Sequence, residues 1–190
     1  MGRVVVSQFM SVDGVVEDPG GSENFERGGW AFKFERGDEG DKFKLDEVMQ
    51  ADALLLGRVT YEGFADAWPS REGEFADKFN NMPKYVVSTT MDKADWNNST
   101  VIGDDLAGEV ERLKQEHDGD ILVAGSAKLT QALIENGLID ELTLMVFPTV
   151  LGKGKRLFGD TSAPATLKLK NSQPVGPDGV VVLTYEPATT

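Results

Sequence analysis

The chain has 190 residues, with 19 lysines and arginines against 32 aspartates and glutamates, for a formal net charge of −13. A domain takes roughly 100–200 residues, so the length predicts one domain over residues 1–190. So acidic a surface repels a phosphate backbone, which argues against a nucleic-acid partner. There is no cysteine and one histidine, His117. That excludes disulfides, thiolate metal sites, cysteine nucleophiles and histidine-rich metal centres.

The opening MGRVVVSQFM has one arginine and then a short valine run, which suits a strand rather than an export signal. No stretch approaches the ~18 apolar residues of a bilayer span. The expectation is a soluble, cytoplasmic protein with no membrane partner.

In chain order, Val4–Phe9 is apolar and β-branched and predicts a buried strand, ended by turn chemistry at Asp13-Gly14. Residues 17–40 are rich in Gly, Asp and Glu and carry Phe25, Trp30, Phe32 and Phe34, which predicts a long loop anchored by aromatics. A helix follows over Asp41–Met49, with Leu45, Val48 and Met49 on its apolar face. Ala53–Leu56 is the second strand. Helices are predicted from Thr60 and over residues 72–81, the latter stopped before Pro83. Tyr85–Ser88 and Thr100–Ile102 are short strands. Asp104 or Asp105 caps a helix running to about His117, which reads as a solvated surface residue.

Ile121–Ala124 is a strand, and Gly125-Ser126 leads into a helix with Leu129, Leu133 and Ile134 on one face, closed by Gly137. Leu142–Val150 is a strand interrupted by Pro148, which points to an edge or a bulge. Ser162–Thr166 is a loop, and two strands follow, about 165–173 and 179–186, joined by a turn at Pro177-Asp178-Gly179. Strands alternate with helices to about residue 140 and then follow one another. The fold class is therefore α/β: a mixed, mostly parallel sheet flanked by helices, with antiparallel C-terminal strands.

In such sheets ligands bind beyond the carboxyl ends of the strands. Three ends carry suitable residues. Gly57-Arg58-Val59-Thr60 offers a close backbone approach, a guanidinium and a helix start; Ser88-Thr89 offers hydroxyls; Ala124-Gly125-Ser126 offers a turn able to cradle a diphosphate. The Gly-x-Gly-x-x-Gly fingerprint is absent, and Gly152-Lys153-Gly154-Lys155 lacks the spacing of a phosphate loop. Among the carboxylates, Asp13 and Asp41 are candidates for acid–base work. Asp13 also fits a plain turn with Gly14, and Asp41 a helix start. Trp30, Phe34, Tyr61, Trp68 and Phe147 are candidate walls for a flat heterocycle, although plain core packing is the commoner use of such aromatics.

Ser-Val-Asp-Gly after the first strand, Leu-Leu-Leu-Gly-Arg-Val-Thr-Tyr-Glu, Lys-Tyr-Val-Val-Ser, Gly-Ser-Ala-Lys-Leu and Gly-Leu-Ile-Asp-Glu-Leu…Phe-Pro-Thr-Val-Leu-Gly-Lys-Gly-Lys-Arg-Leu-Phe occur in this order. The set, covering about residues 3–186, resembles the dihydrofolate-reductase-like proteins related to the reductase domain of bifunctional riboflavin biosynthesis enzymes. The resemblance implies a dihydrofolate-reductase-like fold and NADPH as cofactor. It implies that Gly57, Arg58 and Thr60 meet the cofactor's phosphates, that Ser88 and Thr89 lie near the adenine ribose, and that Ala124, Gly125, Ser126 and Leu129 lie under the diphosphate and nicotinamide. Gln8 and Phe9 would lie beside the nicotinamide amide. It places Asp13 at the start of a loop closing the site, and an acid of the first helix near Asp41. Catalytic roles are expected of Asp13 and Asp41, and substrate contacts of Trp30, Tyr61 and Phe147.

The expected function is NADPH-dependent reduction of a small heterocycle, pterin-like or 5-amino-6-(5-phosphoribosylamino)uracil-like, by a homodimer. The alternative is a non-enzymatic nucleotide-binding module that kept the fold. The zinc deaminase domain of the riboflavin enzymes has no counterpart in a chain without cysteine.

Overall fold

The computed structural model describes residues 1–159 and 164–188. Its strands are β1 (Arg3–Ser11), β2 (Ala51–Gly57), β3 (Lys84–Val87), β4 (Ser99–Ile102), β5 (Asp120–Val123), β6 (Glu141–Phe147), β7 (Leu167–Val175) and β8 (Val180–Pro187). Its helices are α1 (Gly37–Gln50), α2 (Arg58–Ala67), α3 (Glu74–Asn81), α4 (Leu106–Glu116) and α5 (Ala127–Glu135), with a short 3-10 turn at Trp30–Lys33. The strands make one sheet in the order β4-β3-β2-β5-β1-β6-β8-β7. All pairs from β4 through to β6 are parallel, and β8 and β7 add antiparallel. The expected mixed, mostly parallel sheet is the one observed. No helix among the described residues is long and apolar enough to cross a membrane.

The runs Val4–Val6, Leu54–Leu56 and Ile121–Val123 are buried on both sides of the sheet, as central parallel strands must be. One face packs Val4, Val6, Ile121 and Val123 against Val110 and Leu113 of α4 and Leu129 and Leu133 of α5. The other packs Val5, Leu54, Leu56 and Leu122 against Val48 of α1, Tyr61 of α2 and Phe79 of α3. A third cluster under the 3-10 turn joins Trp30 and Ala31 to Met145 and Phe147 of β6 and to Val180 and Val182 of β8.

Several predicted elements shift. The first helix starts at Gly37, not Asp41, because the acidic pair Asp38 and Glu39 sits in its first turn, where the helix dipole favours negative charge. Val48 is its buried anchor, whereas Met49 faces outward, 39% exposed. The strand expected over Leu142–Val150 stops at Phe147, so Pro148 terminates it; β6 is no edge but lies between β1 and β8. Asp105 is the cap of α4, accepting from Gly108 N at 3.0 Å. His117 is not simply solvated, because its Nε2 lies 3.1 Å from the Tyr85 hydroxyl. The predicted loop at Ser162–Thr166 begins outside the described residues.

Candidate functional site

Two neighbouring parallel strands that send their chains to opposite faces of a sheet leave a crevice at their carboxyl ends. β2 and β5 are such a pair. β2 feeds α2 on one face and β5 feeds α5 on the other. Their turns touch, with Gly57 N donating to Gly125 O at 3.1 Å. A Cβ on Gly57 would collide with Ser126 Oγ. A Cβ on Gly125 would stand 2.6 Å from Thr60 Oγ1, and the φ of +141° at Gly125 is one that side-chain-bearing residues rarely adopt. Glycine at both positions is what lets the two turns meet.

α2 begins directly after Gly57, and α5 directly after Ser126, so both helices start at the crevice with amide groups that no helical carbonyl takes. Ser126 Oγ caps α5, accepting from Leu129 N at 3.5 Å; the Leu129 side chain is in the core. β1 supplies the neighbouring wall. Val6 pairs with Val123, so two residues further along both strands brings Gln8 to the level of Gly125. Gln8 is buried and its Nε2 donates to Thr130 Oγ1 of α5 at 3.3 Å. On the far side Gly57 pairs with Val87, so Ser88 follows at the level of Arg58. Ser88 Oγ accepts from Thr90 N and Met91 N at 3.2 and 3.1 Å, while Thr89 is exposed. Arg58 is also exposed, 3.2 Å from Glu62 one turn along α2. Gly57, Thr60, Gly125 and Ser126 are thus in contact, with Gln8, Ala124, Arg58 and Ser88 beside them.

The carboxylates lie elsewhere. Asp13 accepts from Ser11 Oγ at 2.7 Å, Leu151 N at 3.0 Å and Gly152 N at 2.7 Å, and stands 3.8 Å from Arg156. The Ser11 hydroxyl and these amides hold its carboxyl down at about 2, so it carries no proton at neutral pH. It ties the end of β1 to the 151–152 loop. Asp41 is exposed on α1 and pairs with Arg36 Nε at 2.6 Å. In the glycine-lysine loop, Lys153 and Lys155 already face Glu26 and Glu17, at 2.8 and 3.3 Å.

The aromatic residues divide between two clusters. Trp30, Phe9 and Phe34 surround Phe147, with centroids 5.5, 5.2 and 6.1 Å from its ring. Trp30 and Phe147 are fully buried there, while Phe9 and Phe34 keep partial exposure. Tyr61 is buried under α2; its hydroxyl accepts from Trp96 N at 2.8 Å. Trp68 stacks on Phe75 at 5.0 Å.

A cluster of polar side chains between α1 and β1 escaped the sequence reading. Lys44 Nζ donates to Ser7 Oγ at 2.8 Å and to Glu47 Oε2 at 2.5 Å, and Ser7 Oγ donates to Glu47 Oε2 at 3.0 Å. The i,i+3 spacing of Lys44 and Glu47 was visible, but only the packing of α1 on β1 shows that the pair turns inward.

Residues 3–181 match the family model described as the RibD C-terminal domain. The chain is 30% identical over 188 residues to the uncharacterized protein YyaP of Bacillus subtilis (strain 168), covering 96% of this chain and 94% of that one. Among solved structures it is similar to a putative riboflavin biosynthesis protein from Shewanella sp. PV-4, with a TM-score of 0.79 at 20% identity over 98% of this chain and 99% of that one. It is also similar to a dihydrofolate reductase from Enterococcus faecalis complexed with NADP(H), with a TM-score of 0.63 at 15% identity over 99% and 98% of the two chains. The fold is dihydrofolate-reductase-like.

Proposed function

The chain belongs to the RibD C-terminal domain family, and from that premise we propose that it is an NADPH-dependent reductase of a small heterocycle, pterin-like or 5-amino-6-(5-phosphoribosylamino)uracil-like. The observation that carries this reading is the contact between the Gly57 and Gly125-Ser126 turns at the switch point of the sheet. The residues suit a dinucleotide there: two glycines allow close backbone approach, two helix starts and Arg58 favour phosphate, and Thr60 and Ser88 carry hydroxyls. When bound, NADPH supplies the hydride.

The protein's own task is positioning. Gln8, fixed by Thr130, and the backbone of Phe9 would hold the nicotinamide end, and Ala124, Gly125 and Ser126 would form its floor. Phe9 and Phe34, backed by the buried Trp30 and Phe147, present the apolar wall to the heterocycle. Tyr61 supports α2 from beneath. Asp13 acts as a loop anchor rather than as an acid, and Asp41 acts through its pair with Arg36. The proton required on the substrate then comes from water. The working form is a homodimer.

The test is NADPH oxidation by the purified protein with pterin, ribosylaminouracil phosphate and flavin acceptors. Turnover on one heterocycle is expected. Saturable NADPH binding with no oxidation on any acceptor overturns the reductase reading in favour of a nucleotide-binding module.

A further inference from the structure

A cavity of about 250 Å³ opens between the 3-10 turn and the start of α1, and Phe32, Phe34, Arg36, Asp38 and Asp41 are among the residues that line it. It borders the apolar wall assigned above to the heterocycle. Phe34 belongs to both, and Phe9 carries the Arg36 guanidinium, whose Cζ lies 5.4 Å from the ring centroid.

Arg36 is held from several sides. Its Nε donates to Asp41 Oδ1 of α1 at 2.6 Å. Its aliphatic stem crosses Gly40, where a Cβ would stand 2.8 Å from Arg36 Cβ and 2.9 Å from its Cγ. The residue before it is tied to the β7–β8 turn, with Glu35 N donating to Asp178 Oδ2 at 2.6 Å. A guanidinium is a planar fork of N–H donors, and Asp41 takes only the one on Nε. Among the described residues the terminal nitrogens make no hydrogen bond and no ion pair, and the side chain is 26% exposed. Phe32, 70% exposed, and the half-buried Phe34 stand at the same cavity. A fixed guanidinium with an open terminal edge beside two aromatic rings suits a planar ring that carries a hydrogen-bond acceptor.

The surrounding charge decides which acceptor. Both cations over the Phe9 ring are already answered: Arg36 by Asp41, and Lys44, 5.3 Å from the centroid, by Glu47 at 2.5 Å. Glu35 and Asp38 add two carboxylates to the cavity with no cation paired to them among the described residues. Asp38 and Glu39 also occupy the first turn of α1, where they answer its dipole. A phosphate brought here meets no net positive charge and two uncompensated negative ones. A ring carbonyl is uncharged and accepts from the guanidinium without that repulsion.

We propose that Arg36 holds the ring carbonyl of an unphosphorylated lactam heterocycle, an oxopyrimidine ring such as that of a pterin, lying against Phe34, and that the acidic rim turns phosphorylated heterocycles away. The site rests on the reductase reading for the fate of the ring and narrows that reading to its pterin-like half.

6-Hydroxymethylpterin and its phosphate ester are matched probes, equal in the ring and different in charge. Calorimetric titration into the full chain should give saturable binding of the pterin, with the ester about tenfold weaker or more. Arg36→Lys, which keeps the charge and loses the planar fork, should weaken the pterin about tenfold or more. It should leave NADPH affinity and the melting temperature unchanged, a separation that a merely structural role would not give. Asp38→Lys, at an exposed residue of the same cavity, should raise the affinity for the ester and leave that for the pterin in place. If Arg36→Lys fails to fold, Asp38→Lys decides. Saturable pterin binding with no oxidation of NADPH refutes the reductase and leaves the Arg36 site standing. NADPH oxidation sustained by an ester that binds as tightly as the pterin keeps the reductase and overturns the site. No saturable pterin binding, undiminished binding in folded Arg36→Lys, or no gain for the ester in Asp38→Lys also overturns it.

Discussion

Asp13 and Arg58 carry charges of opposite use. Asp13 is bound by one hydroxyl and two amides, and its carboxyl sits at about 2 instead of 3.8. A carboxyl depressed on folding contributes stability that is present above pH 3.8 and lost as pH falls through about 2. Asp13→Asn should therefore lower stability at neutral pH by about 1–3 kcal/mol, because the Leu151 and Gly152 amides lose a charged acceptor. Urea melts across this acid window should show a smaller fall in the variant than in the wild type. If the hydride reading is right, turnover should survive Asp13→Asn in proportion to folded protein; selective loss of kcat would instead make it an acid. Arg58 is exposed and, among the described residues, meets only Glu62, so its removal should leave the fold intact. Arg58→Ala is expected to weaken NADPH by about 1–3 kcal/mol, read by fluorescence titration.

At the scale of elements, Lys84 at the head of β3 is fully buried, with its Nζ donating to the carbonyls of Asn80, Met82 and Asn97 at 2.8–2.9 Å and lying 4.3 Å from the Trp96 ring centroid. It ties the end of α3 and the segment before β4 to the sheet. Burial pushes its ammonium down from 10.5 to about 8. A lysine depressed on folding makes the folded state gain on the unfolded one as pH rises from about 8 to 10.5, and lose that gain as pH falls. Lys84→Met should abolish this rise in chemical-denaturation curves and leave three carbonyls without a donor.

Lys84 opens the Lys-Tyr-Val-Val-Ser stretch, but nothing local marks it as buried, because a lysine at the head of a strand reads as facing water. Lys44 and Glu47 were hidden for the same reason, since a helix's charges are assigned to solvent until its partner surface is known. The strand ends Gly57, Ser88 and Gly125-Ser126 were legible, because glycine and serine punctuate turns locally. Their meeting was not, because Gly57 and Gly125 touch only through the strand order that sets β5 beside β2. The start of α1 was misplaced by reading glycines as loop when the acidic first turn outweighed them. Trp30 was recognisable as a loop anchor and Phe147 as a candidate wall, but that both lie within the core is a property of the third cluster.

For the molecule as a whole, the charge of −13 coexists with a crevice proposed to take an anionic nucleotide. Attraction there is local, from the helix starts at Arg58 and Ala127 and from the Arg58 guanidinium, acting at contact distance inside a field that repels long polyanions. The proposed homodimer predicts a light-scattering mass of two chains at micromolar concentration, and a mass of one chain would refute it. The central claim is that the β2–β5 switch point holds NADPH, and calorimetric titration of NADPH into the wild type and Gly125→Leu tests it most directly. The side chain added at Gly125 would press on Thr60 and fill the approach to the turn. Saturable binding of one NADPH per chain, weakened about tenfold or more in a variant that still folds, is the predicted result. No saturable heat in the wild type, or an unchanged affinity in the folded variant, would contradict the account.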